Sequence, residues 1–155
     1  MRRALVTVTF LFAALLAPTG VSAGAPVVVS GGGTGTFDGV HPGSQFGFIA
    51  TVRGGSVQGQ FNCVMAGRSA FSGLRLMKVE GQVTAGSVDV AAGTATLSGT
   101  ATLHMNNAMS QVAFTVQVTS GGPGQGTLQL TVNGPPVGLF PLPVEKVATG
   151  QITLR

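Results

Sequence analysis

The sequence predicts an all-β fold: an antiparallel β-sandwich, or alternatively a small closed β-barrel, of about 8–10 strands with no substantial helix in the mature chain. Three observations carry this. Gly, Thr and Val dominate the composition, and β-branched residues suit a pleated, half-buried surface. Several windows alternate strictly between apolar and polar residues, while few hold a helical period. Clusters of Gly, Pro and Asn punctuate those windows at strand-length intervals.

The first segment reads as a leader. Arg2 and Arg3 form a short basic region, followed by an apolar run from Ala4 to Ala17 and then Pro18. Val21-Ser22-Ala23 places small residues where signal peptidase requires them, and Ala25 offers a second cut two residues on. The run is shorter than the roughly 20 residues that span a bilayer. Residues 1–23 are therefore expected to be a signal peptide and 24–155 a single domain, secreted to the periplasm or the cell exterior. No Cys follows the leader for lipid attachment.

Along the domain, Gly31-Gly32-Gly33-Thr34-Gly35-Thr36 has a phosphate-loop flavour but lacks the Lys and the following helix. It reads as a flexible lead-in segment. Asp38-Gly39-Val40-His41 reads as a polar loop between two short strands. Phe46, Phe48, Ala50 and Val52 then alternate with Gln45, Gly47, Ile49, Thr51 and Arg53. Arg53-Gly54-Gly55-Ser56 closes a hairpin onto a second alternating run, with Val57, Gly59, Phe61, Cys63 and Met65 on one face. From Leu74 to Val90 the alternation slips between Leu76 and Met77, which predicts a bulge or a strand break there.

"GTATLSGTATL", Gly93 to Leu103, repeats a pentapeptide at a spacing of six residues. Six is even, so the shift keeps every side chain on its own face. Thr94, Thr96, Ser98, Thr100 and Thr102 point one way; Ala95, Leu97, Gly99, Ala101 and Leu103 point the other. One long strand explains the repeat, with a Ser98-Gly99 hairpin as the rival. A solenoid needs three or more copies, and only two are present.

Met105-Asn106-Asn107 turns the chain into the run Val112, Phe114, Val116, Val118. The glycine loop Gly121 to Gly126 should pair that run antiparallel with Leu128, Leu130 and Val132. Asn133-Gly134-Pro135-Pro136 ends the latter. Val137 to Val144 contains Pro141 and Pro143, so it is an edge strand or a loop. Gly150, Ile152 and Leu154 alternate to the end of the chain, which predicts a paired final strand and not a tail.

The order of these pieces resembles a known family. "SQFGFIATVRGGSVQGQFNCV", "GTATLSGTATL", "VAFTVQVTSGGPGQGTLQLTV" and a closing "GQITL" are similar to the post-COAP domain, a bacterial exported β module found near choice-of-anchor segments of surface proteins. The similarity covers about residues 31 to 155. It implies a compact β-sandwich without a general catalytic activity. Relatives often carry acidic residues in the hairpin occupied here by "TSGGPGQGT", which has none, so the resemblance brings no cation site with it.

Charge and chemistry narrow the function. Without residues 1–23 the chain has six basic residues (Arg53, Arg68, Arg75, Lys78, Lys146, Arg155) and four acids (Asp38, Glu80, Asp89, Glu145), a net +2. The basic residues are scattered, unlike the clustered face of a nucleic-acid binder. Four dispersed acids do not suggest the paired carboxylates of a glycosidase. Asp38, His41 and His104 would make a three-ligand metal set only if the fold brought them together, and no metal or cofactor is expected. Cys63 shares a face with Phe61 and Met65 and should be a buried, inert thiol. There is no G-x-S-x-G elbow. The lack of Trp and Tyr removes the rings on which sugars stack, although Gln- and Thr-rich faces can still hydrogen-bond a ligand.

The expected function is a secreted, non-enzymatic module with a structural or interaction role. The residues name no partner; an envelope or extracellular protein is the candidate, with no nucleic acid and no membrane association after leader removal. The alternatives are a small apolar-ligand carrier barrel, which needs an internal cavity, and a hydrolase, which needs a His–acid–hydroxyl cluster in a cleft.

Overall fold

The computed structural model describes residues 25–66, 76–105 and 107–155. Nine strands follow in chain order: β1 (Val27–Thr36), β2 (Pro42–Arg53), β3 (Ser56–Ala66), β4 (Leu76–Asp89), β5 (Thr94–Met105), β6 (Ala108–Thr119), β7 (Thr127–Gly134), β8 (Gly138–Pro141) and β9 (Glu145–Leu154). All neighbours pair antiparallel, and the described residues contain no helix. The proposed leader, residues 1–23, lies outside the described residues, as do Arg68, Leu74 and Arg75.

The pairings run β6-β5-β4-β3-β2-β1-β9-β7, and β7 pairs back onto β6. The sheet is therefore a ring, the closure that the barrel alternative requires. Its opposite walls share one apolar core, as the layers of a sandwich do. β8 and β9 form one continuous partner for β7. Gly138–Pro141 pair with Gly134–Thr131, Leu142 N–H donates to the Leu130 carbonyl, and Glu145 and Lys146 then meet Leu128 and Thr127. Beyond Lys146 the same strand passes to β1, pairing as far as Val29 with Leu154.

Below Thr127, the glycine loop completes the seam. Gly124 N–H donates to the Val147 carbonyl, Val147 N–H to Gly126, and Gly121 and Ile152 exchange two hydrogen bonds. The loop thus substitutes for strand where β7 has not yet begun. A Cβ on Gly126 would lie 2.5 Å from the Gly121 carbonyl oxygen, so close backbone approach demands glycine there.

The interior follows the alternation read from the sequence. Phe46, Phe48 and Ala50 of β2, Val57, Phe61, Cys63 and Met65 of β3, and Val112, Phe114, Val116 and Val118 of β6 are all buried. Four phenyl rings form a chain through the core: Phe46 to Phe48 and Phe48 to Phe61 at 6.3 Å, and Phe61 to Phe114 at 5.1 Å. The last contact joins β3 to β6. Phe114 has room because Gly81, on the wall between, carries no side chain; a Cβ there would sit 2.8 Å from its ring.

The repeat strand is β5, a single strand with Ala95, Leu97, Ala101 and Leu103 buried, and no hairpin breaks it at Ser98-Gly99. The two-residue hairpin at Gly54-Gly55, the β6–β7 hairpin and the final strand are also where expected. Three readings need correction. The glycine run Gly31–Gly35 is not a flexible lead-in; it is the body of β1, paired with β2 on one side and β9 on the other. Glycines carry no alternation to read, and the close approach of the Phe48 ring over Gly31 uses the missing side chain. The irregularity of β4 is not at Leu76–Met77, where exposed and buried residues alternate normally; it is at Thr84, where Val83 pairs Gly99 and Ala85 pairs Ser98. The strands around Asp38 are also longer than expected, at 10 and 12 residues.

Candidate functional site

Three cross-strand rows of outward side chains cover β2 to β6. Gln45, Val64, Lys78, His104 and Met109 form one; Gly47, Asn62, Glu80, Thr102 and Gln111 form the next; Ile49, Gln60, Gln82, Thr100 and Ala113 form the third. The second and third rows line an open trough of about 630 Å³. Its outward side chains are amides, hydroxyls, one carboxylate and the exposed Ile49, and the buried Phe48, Phe61 and Ala101 also line it.

Glu80 stands at its centre. Lys78 Nζ lies 2.7 Å from Glu80 Oε1, and Asn62 Nδ2 donates to the same oxygen at 3.3 Å. His104 Nε2 is 3.9 Å from Oε2. Lys78 and Glu80 are two apart on one strand, so the pleat sends both to the same face. Gln111 Nε2 donates to Thr102 Oγ1 at 2.9 Å. Among the described residues, the side chains of Gln60, Gln82 and Thr100 hydrogen-bond to no protein partner.

A second polar group is sealed inside the ring. Glu145 is 2% exposed and Ser44 3%. Ser44 Oγ donates to Glu145 Oε2 at 2.6 Å. Gly35 and Gly43 make the space: a Cβ on Gly35 would fall 2.0 Å from Glu145 Oε2, and one on Gly43 would lie 3.2 Å from it. Burial pushes the Glu145 carboxyl above its usual range, opposed in part by hydrogen bonds from the Ser44 side chain and backbone. Cys63 is 1% exposed, and burial pushes its thiol up to about 12. A thiol so buried is a poor nucleophile.

The sequence did not single out Glu145, and the reason is a bulge. Thr34 pairs Thr149 while Gly35 pairs Val147, leaving Ala148 as the extra residue of β9. Counting back from Ile152 in steps of two puts Glu145 on the wet face; the bulge turns it inward. The one signal available was its parity with Val147.

Asp38 and His41 do meet. His41 Nδ1 is 2.7 Å from Asp38 Oδ2, and Asp38 Oδ1 accepts the backbone N–H groups of Val40 and His41. The His41 side chain, then these backbone donors, hold the Asp38 carboxyl far below the usual carboxylate range. The pair braces an exposed turn. His104 is elsewhere, on β5 between Lys78 and Met109. Among the described residues, no three His, Cys, Asp or Glu side chains are grouped to hold a metal ion.

No family model, curated protein or solved structure matches the chain.

Proposed function

We propose that this chain is an exported, non-enzymatic β module that acts by surface contact at or outside the cell envelope, as its resemblance to the post-COAP domain implies. The observation that carries this reading is the contrast between a filled interior and a polar, concave exterior. The chain of phenyl rings runs through the core from β2 to β6, while the trough on β2 to β6 offers amide and hydroxyl groups to solvent. A carrier barrel needs an internal void; the trough opens to solvent, and Phe46, Phe48, Phe61 and Phe114 pack ring against ring inside the strands. A hydrolase needs a nucleophile held by a base: Ser44 and Cys63 are sealed inside, and at the trough His104 lies 3.9 Å from Glu80 Oε2 while the Thr102 hydroxyl accepts from Gln111, with no hydrogen bond joining it to the imidazole. The alternation, apolar within and Gln- or Thr-rich without, is the reverse of a transmembrane barrel, whose apolar band faces lipid.

Native mass spectrometry of protein recovered from the culture fluid or envelope fraction tests the reading. The expected mass lacks residues 1–23 and carries no apolar passenger. A chain retaining Met1, or a stoichiometric lipid, would overturn it.

A further inference from the structure

We propose that the trough is a binding site for a neutral, polyhydroxylated ligand: a glycan chain laid across β2 to β6 and held by side-chain amides and hydroxyls, not by stacking. The inference rests on the surface-contact reading and names its ligand class.

Charge sets the class first. Glu80 is the single acid in the trough, and the Lys78 ammonium already neutralises it at 2.7 Å. An anionic polymer finds one cation, occupied. A basic ligand finds one carboxylate, whose Oε1 is already paired with Lys78. Hydrogen-bond capacity points the same way. Gln60 and Gln82 face one another across β3 and β4, and Thr100 is the next residue of that row. Each amide offers two donor hydrogens and an acceptor oxygen, and the hydroxyl offers both roles. Ligand hydroxyls also donate and accept, so this mixed field suits them. Glu80 Oε1 carries the contacts to Lys78 and Asn62, and Oε2 lies 3.9 Å from His104 Nε2.

A peptide fits less well. Peptides bind sheets by adding to a free edge, and at the trough rows β2 to β5 are paired on both sides, while β6 lacks a β7 partner only before Ala113. On the face itself a peptide needs apolar pockets for its side chains; within the trough Ile49 is the only exposed large apolar side chain, and Met109 stands outside it in the Lys78–His104 row. Size agrees with a chain. Five strands at about 4.8 Å spacing extend about 19 Å, longer than one sugar ring. The absence of Trp and Tyr then means modest affinity per site, with dissociation constants on the order of 1 mM.

The test is an NMR titration of the isotope-labelled protein, reading side-chain amide resonances. Probes are the neutral hexasaccharides of cellulose, starch, mannan and N-acetylated chitin, with polygalacturonate, an oligolysine and an uncharged Ser/Thr-rich peptide as comparisons. One neutral hexasaccharide should saturably shift the amides of Asn62, Gln60, Gln82 and Gln111, and leave those of Gln117 and Gln151 unmoved. Gln60→Ala with Gln82→Ala should weaken that binding about tenfold with an unchanged circular dichroism spectrum, and Gln117→Ala should not weaken it. The proposal is overturned if no neutral hexasaccharide shifts the trough amides at about 10 mM, or if Gln117 and Gln151 respond equally. Tighter binding of polygalacturonate or a peptide in the trough would also overturn it, while leaving the surface-contact reading standing. A lipid passenger would sink that reading whatever the glycans do.

Discussion

Replacing Glu145 by Gln should abolish a pH dependence of stability that the wild-type protein carries. Glu145 is 2% exposed, and Ser44 is its one hydrogen-bonding side chain. Burial raises its folded pKa above the ordinary value of 4.5. In the window between that value and the raised one, the folded state holds a proton that the unfolded state has lost. Stability is then complete below about pH 4.5 and falls as pH rises through the folded pKa, at up to about 1.4 kcal/mol per pH unit. Gln has nearly the same shape but does not titrate. Ser44 can still donate to its oxygen, while its amide hydrogens gain no evident acceptor, a cost of about 1–3 kcal/mol. The variant should therefore be the less stable protein near pH 4.5 and close the gap as pH rises. Two other shifted groups stay out of the window. Cys63 titrates near 12, and Asp38, whose pKa is depressed, loses its stabilising effect only in stronger acid. The assay is urea unfolding at a series of pH values, followed by far-UV circular dichroism, because the chain has no Trp or Tyr to report. If wild type and Glu145→Gln show the same slope between about pH 4.5 and 8, the carboxyl is not desolvated and the inward turn of β9 is wrong.

Ile152→Ala should cost about 2–5 kcal/mol in the same unfolding assay, because Ile152 is 2% exposed in the core. Thr153→Ala, which loses one hydrogen bond to Ser30 on the outer face, should cost about 0.5–1.5 kcal/mol; equal losses would refute the register of β9. A thiol reagent should modify Cys63 slowly in the native protein and rapidly in urea, and equal rates would contradict its burial. Gly126→Ala should destabilise by about 1–3 kcal/mol, since the added Cβ meets the Gly121 carbonyl at the seam. A neutral effect in thermal unfolding would mean that the glycine loop does not close the ring.

Strand identity and facing were legible in the sequence because both are local. In β2, β3, β5, β6 and β7 the side-chain period of two separates Phe46 from Gln45, Cys63 from Asn62 and Leu97 from Thr96, and one buried face fixes which is which. The Gly54-Gly55 hairpin and the inward direction of Cys63 and Ile152 follow from the same rule. What the chain alone did not determine depends on pairings between distant residues. Closure of the ring rests on where β7 meets β9 and on the hydrogen bonds of a loop that looks like an ordinary turn. The glycine run of β1 has no side chains to alternate, so only its two neighbours define it as a strand. The trough draws its central row from β2 to β6, and register alone makes Asn62, Glu80, Thr102 and Gln111 neighbours. Glu145 turns inward through one extra residue, Ala148, whose bulge reverses the parity that the last five residues announce; a bulge is set by the partner strand, and the partner here lies more than a hundred residues away.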